Sequence, residues 1–391
     1  MQTLIACLCL LILSFVSPCL CGMWIVGTEN RTYNVIDYGA HGDGKSDDSE
    51  AFVSAWNATC GAEEASTLLI PPNGKFLVKV INFRGPCNAT SVNIQLQGRI
   101  VAPAMDEWPR GLTNNEITNL IVISNVSSLS INGSGGSIDG YGSSWWQCTN
   151  CYRPTILRFR YCSDLTVFNL NITNSPKAHI RVNGCENATF SNITIHSPGD
   201  SPNTDGFDIY TSKNILIQNS TIACGDDCIA ISGGSSYINA TGIACGPGHG
   251  ISIGSLGRNQ AYDTVEEVYV KNCSFTNTEN GARIKTVPGG SGYARNITFE
   301  NITLTQARNP IIIDQYYDRK YLTNASVKVS DVTFSRFNGT SEKELAITLN
   351  CSSSGCFNIA LDHINIVSAQ PEKPVSCFCN NAHGTATSTE E

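Results

Sequence analysis

After its first residues the chain is built from short runs, roughly three to five residues long, in which apolar and polar positions alternate. The runs are rich in Val, Ile, Thr and Phe, and Gly, Asn, Ser and Pro separate them. The phrase Ser163-Asp164-Leu165-Thr166-Val167-Phe168-Asn169-Leu170 returns as Glu186-Asn187-Ala188-Thr189-Phe190-Ser191-Asn192-Ile193. It returns again around Lys213-Asn214-Ile215, Glu267-Val268-Tyr269 and Arg295-Asn296-Ile297. Most neighbouring copies lie roughly 23 to 30 residues apart, the period of a solenoid and shorter than a propeller blade. Short strands at this period predict an all-β fold, a right-handed parallel β-helix whose coils stack about 4.8 Å apart. Residues 48–56 carry the one helical pattern and are expected to cap the open N-terminal end.

Composition narrows the class. Hydrophobic residues reach 41%, enough for a continuous core, while charged residues are only 15% and the net charge is −8. No basic stripe is present, which argues against a nucleic-acid partner. Residues 1–21 read as a signal peptide, because the apolar stretch 4–16 is too short for a membrane span. Residues 22–380 then form one β-helix domain, and the small, polar residues 381–391 are expected to be a disordered tail. Four of the 18 cysteines lie in the leader, and the even set that remains implies disulfides in an exported protein. Sequons such as Asn171, Asn187, Asn192, Asn219, Asn239, Asn296, Asn301 and Asn338 suit a secreted glycoprotein, although Asn-apolar-Thr is also turn chemistry here.

Four polar motifs stand out against this repeat: Asn203-Thr204-Asp205, Gly225-Asp226-Asp227, Gly248-His249-Gly250 and Arg283-Ile284-Lys285. Aligning the apolar residues beside them pairs Phe207 with Ile229, Ile251 and Ala282. Alternation then turns Asp208, Ala230, Ser252 and Arg283 outward on successive coils. Asp205, Asp227 and His249 fall in a column at the strand mouths, with Asp226 offset, above a floor of small residues. A loop around residues 257–264 is expected to wall this groove. Singly, each motif is an ordinary turn or a solvated face. Together they crowd three carboxylates, which drives their proton affinities apart. Glycoside hydrolysis needs such a set: one carboxyl protonated to donate, another ionised to activate water. In an acidic chain, Arg283 and Lys285 would recognise a carboxylate on the sugar.

These motifs resemble those of the polygalacturonases, the pectin-degrading glycoside hydrolases of the β-helix class. The resemblance includes Ser201-Pro202-Asn203-Thr204-Asp205-Gly206, Gly225-Asp226-Asp227-Cys228, Cys245-Gly246-Pro247-Gly248-His249-Gly250-Ile251-Ser252 and Gly281-Ala282-Arg283-Ile284-Lys285-Thr286. It implies Asp226 as general acid, Asp205 and Asp227 holding the hydrolytic water, and His249 tuning the acid. It further implies substrate binding by Asn203, Arg283, Lys285 and Tyr317, inversion at the anomeric carbon, and a disulfide between Cys228 and Cys245. Two positions depart from the family pattern: Cys224, where a small residue is usual, and Tyr316-Tyr317-Asp318, where a cysteine is often found. The implied partner is pectin (homogalacturonan), met by a secreted monomer at the cell wall, with no metal, cofactor or membrane. Rival readings are a rhamnogalacturonan hydrolase, a calcium-dependent pectate lyase and a non-catalytic pectin-binding wall protein.

Overall fold

The computed structural model describes residues 31–109, 118–148, 150–318, 325–370 and 372–387. The leader expected over residues 1–21 lies outside them. One sheet of 11 strands runs along the molecule in chain order. It comprises Ile81–Arg84, Asn119–Ser124, Thr155–Arg160, Ile180–Asn183, Phe207–Tyr210, Ile229–Ile231, Ile251–Leu256, Asn280–Thr286, Asn309–Asp314, Leu345–Asn350 and Ser376–Asn380. A second sheet of 19 strands wraps the other faces. Each strand pairs in parallel with its counterpart one coil on, as in Leu165 with Ala188 and then Ile215. The result is a parallel β-helix.

The repeat has a visible physical cause. Inward residues stack coil on coil: the rings of Phe159, Phe190 and Phe207 meet edge to face at 5.7 and 5.3 Å. At the bends, Asn187, Asn192, Asn214, Asn296 and Asn301 adopt positive φ, a conformation asparagine tolerates better than most residues. Their amides form ladders across coils, Asn214 to Asn187 at 2.8 Å and Asn301 to Asn272 at 2.7 Å. Several sequon asparagines therefore serve as bend and ladder residues.

The N-terminal end is closed by a helix over Ser49–Cys60, longer than the sequence pattern indicated. Trp56 stacks on Phe83 at 4.8 Å, Phe52 meets Phe76 at 5.6 Å, and Cys60 is bridged to Cys87. At the other end, the expected tail is instead structured through Thr387. Ala382–Thr387 pairs in parallel with Cys356–Ser368, because the last coil offers open backbone groups that even a small, polar segment can satisfy. Further disulfides join Cys148 to Cys151, Cys228 to Cys245 and Cys351 to Cys356. Pairing is partial: Cys162, Cys185, Cys224 and Cys273 are buried thiols, and Cys377 and Cys379 are exposed.

Candidate active site

The register derived from the apolar pattern is the one observed. Phe207 pairs with Ile229, Ile229 with Ile251, and Ile251 with Ala282. Asp208, Ala230, Ser252 and Arg283 consequently form one row across four adjacent strands. Ala230 and Ser252 are too short to fill it, leaving a cleft of about 500 Å³. Asn203, Asp205, Asp226, Asp227, Lys285 and Tyr317 line it, joined by Lys177, Arg181 and Arg258. A hollow of about 710 Å³ near Arg31, Glu63 and Glu64 is larger, but it gathers no comparable set of acids, histidine and cations.

Two turns are locked together beneath the acids. The Thr204 hydroxyl accepts from the Gly225 N–H at 2.9 Å and lies 2.6 Å from the Ser201 hydroxyl. A Cβ on Gly225 would stand 1.9 Å from the Ser201 carbonyl oxygen, so only glycine allows this approach. The Gly250 φ of +82° carries the chain from His249 into its strand. The buried Cys224 thiol, unforeseen as a contact, donates to the Asp226 carbonyl at 3.3 Å.

The two adjacent aspartates face different partners. The Asp226 carboxylate meets His249 Nδ1 at 3.0 Å and accepts from the Asn203 amide at 3.2 Å. Asp227 is buried in the floor, where it accepts from Arg283 at 2.6 Å, Lys285 at 2.7 Å and the Ser252 hydroxyl at 2.8 Å. One side-chain nitrogen or oxygen from each of Asp226, Asp227 and His249 lies within 4.8 Å of the others. The expected column is thus a cluster in which Asp226, rather than Asp227, is the direct partner of His249. Lys285 lines the cleft, whereas Arg283 is buried behind it, and both supply counter-charge for Asp227. Tyr317 lies under Lys285, with the ammonium 5.3 Å from its ring centre.

These contacts separate the proton affinities. Asp205 keeps some surface open, but burial first, then the charges of Asp208, Asp226 and Asp227, push it well above the usual carboxylate range. Burial also works against the Asp226 anion. The hydrogen bond and charge of His249, with help from Lys285 and Asn203, outweigh it and hold Asp226 at about 2. Reciprocally, the hydrogen bond to Asp226 raises His249 above its ordinary value against the effect of burial. The Asp226–His249 pair therefore holds one proton between two sites.

Three contributors were not picked out from the sequence. Glu279 sits 3.3 Å from His249 Nε2, so carboxylates flank both ring nitrogens. Arg153, from an upstream coil, donates to the Asn203 side-chain oxygen at 2.6 Å and to the Pro202 carbonyl, steadying the asparagine that holds Asp226. Arg181 pairs with Asp208 at 2.8 Å. Their signal in the sequence is weak, since each is a lone charge outside the motifs and only coil stacking brings it near.

Comparison with known proteins shows the family. The model of glycosyl hydrolases family 28 matches residues 60–389. A probable polygalacturonase of Arabidopsis thaliana is 43% identical over 369 residues, covering 92% of this chain and 79% of its own. A polygalacturonase of Chamaecyparis obtusa is 40% identical over 373 residues, covering 90% and 70%. Among solved structures, an endo-xylogalacturonan hydrolase from Aspergillus tubingensis superposes with a TM-score of 0.80 at 27% identity, covering 92% of this chain and 99% of that one. The polygalacturonase of Erwinia carotovora ssp. carotovora shares the fold, with a TM-score of 0.74 at 22% identity over 92% and 97% of the two chains. With the acid cluster, its cations and the β-helix that carries them in view, the chain belongs to glycosyl hydrolases family 28 and is a glycoside hydrolase.

Proposed function

We propose that this enzyme hydrolyses α-1,4-galacturonosyl linkages of polygalacturonan, the backbone of pectin, by an inverting acid–base mechanism. The observation that carries the reading is the one-proton Asp226–His249 pair at a cleft lined by Asp226, Asp227, Lys285 and a further acid, Asp205, that binds protons strongly, with Arg283 buried against Asp227. In the resting cleft the shared proton lies toward His249. A uronate that draws on Lys285 adds negative charge near Asp226 and raises its proton affinity. The proton then moves to Asp226, which donates it to the departing glycosidic oxygen. Asp205 and Asp227 hold the attacking water, and Asp205, once ionised, takes its proton. One proton enters the leaving group and one leaves the water, so the site is restored by a single transfer through solvent. The leader-like first residues and the disulfides support action outside the cell.

The test is a product profile on polygalacturonic acid in EDTA, comparing the wild type with Asp226→Asn. New reducing ends, lost in the variant and without the ultraviolet absorbance of an unsaturated product, are expected. Unsaturated products would assign a lyase instead. No products from a folded wild type would overturn the reading. The likeness to an endo-xylogalacturonan hydrolase makes a substituted galacturonan the second substrate to assay.

A further inference from the structure

The row that becomes Asp208, Ala230, Ser252 and Arg283 in the active site continues N-terminally as Arg181 and then Arg158. At about 4.8 Å per coil, Arg158 lies roughly 10 Å along the axis from Asp208. Two guanidinium groups on adjacent coils repel, and the nearby charges do not balance them. Arg181 is paired with Asp208, whereas Arg158 donates to the neutral Asn183 side-chain oxygen at 3.2 Å and its buried Nε–H has no partner. Burial and the charges of Arg181 and Arg160 lower the proton affinity of Arg158, as expected of a cation held among cations. Among the described residues no carboxylate lies within ion-pair reach of Arg158 or Lys177; Lys177 and Arg181 line the cleft, and Arg158 adjoins it on the next strand. One coil further on, Val122 ends the tract.

We propose that Arg158, Arg181 and Lys177 form a further subsite that binds a uronate carboxylate of the glycan chain lying in the cleft, upstream of the bond that is cut. This rests on the galacturonan reading. A carboxylate there would balance the stacked charges of Arg158 and Arg181. Short substrates would not reach it, so the enzyme would favour long chains.

The test measures the affinity of trigalacturonate and octagalacturonate for the Asp226→Asn protein, by calorimetry, with and without Arg158→Gln. The preference for the octamer is expected to fall about tenfold in Arg158→Gln, the scale of one charged hydrogen bond. Arg158→Lys should restore much of it. An unchanged preference in Arg158→Gln would overturn the subsite. Should that variant fail to fold, salt decides: octamer binding must weaken more steeply with ionic strength than trimer binding, and equal slopes overturn the proposal. If the unmodified protein neither binds nor cleaves either oligomer, the galacturonan reading falls and the subsite with it. Retained cleavage with an indifferent Arg158→Gln removes the subsite alone.

Discussion

Asp226 and Asp227 are neighbours in the chain with opposite surroundings, and that difference underlies the separate roles proposed for them. Asp226 shares a proton with a histidine at the cleft surface, while Asp227 is held by two cations and a hydroxyl in the floor. Asp226→Asn is expected to lower kcat about 10²–10⁴-fold, the usual contribution of a positioned general acid, as read by reducing-end release. The pH profile follows from two groups whose proton affinities both lie above their ordinary values. His249 holds the pair's proton beyond the ordinary histidine value of 6.5, so activity should fall as pH rises through that higher value. Asp205 keeps its own proton above the ordinary carboxylate value of 3.8, so activity should also fall as pH drops through its raised value. A bell-shaped kcat/KM profile is expected. His249→Asn should move the alkaline limb, and an unmoved limb would refute the shared-proton account.

At the scale of the element, the site depends on turns that lift side chains to the strand mouths. Gly250 combines a φ of +82° with a backbone oxygen, that of Asn280, only 2.2 Å from where a Cβ would stand. Gly250→Ala should cost about 1–3 kcal/mol from the backbone strain alone. Because the displaced backbone carries His249, it should also reduce activity, so thermal unfolding and kinetics need to be measured together. The capping helix offers a separate check. Trp56 is fully buried against Phe83, and Trp56→Ala should destabilise by about 3–5 kcal/mol as the first coils lose their cover. Intact stability would show that the helix is not what closes the solenoid.

Across the whole molecule, a net charge of −8 surrounds a cleft lined by Lys177, Arg181, Arg258 and Lys285. An acidic surface repels a polyanion, and these cations, set among Asp205, Asp208, Asp226, Asp227 and Asp263, supply the local attraction that orients its carboxylates. Added salt screens this attraction, and the KM for polygalacturonate should rise with ionic strength while kcat changes little. A salt-independent KM would argue for a neutral ligand. The solenoid makes such a cleft possible, since equivalent positions on successive coils present their side chains in a row.

Period-two alternation and the coil-length repeat were enough, unaided, to predict the β-helix and the row from Asp208 to Arg283. Both depend on backbone geometry and on which face is apolar, and a one-residue slip would expose the whole core. The motifs likewise announced that acids, histidine and cations would share one cleft. Which of them touch was decided by tertiary structure. Arg283 and Lys285 stand 56 and 58 residues from Asp227 in the chain, and stacking of the coils sets them against it. Glu279, Arg153 and Arg158 entered the same way, as did the terminal strand Ala382–Thr387, which the chain's own composition does not favour. Alternation tells which face a side chain takes, while its partner depends on reach across neighbouring coils, and that distance exists only once the coils are stacked.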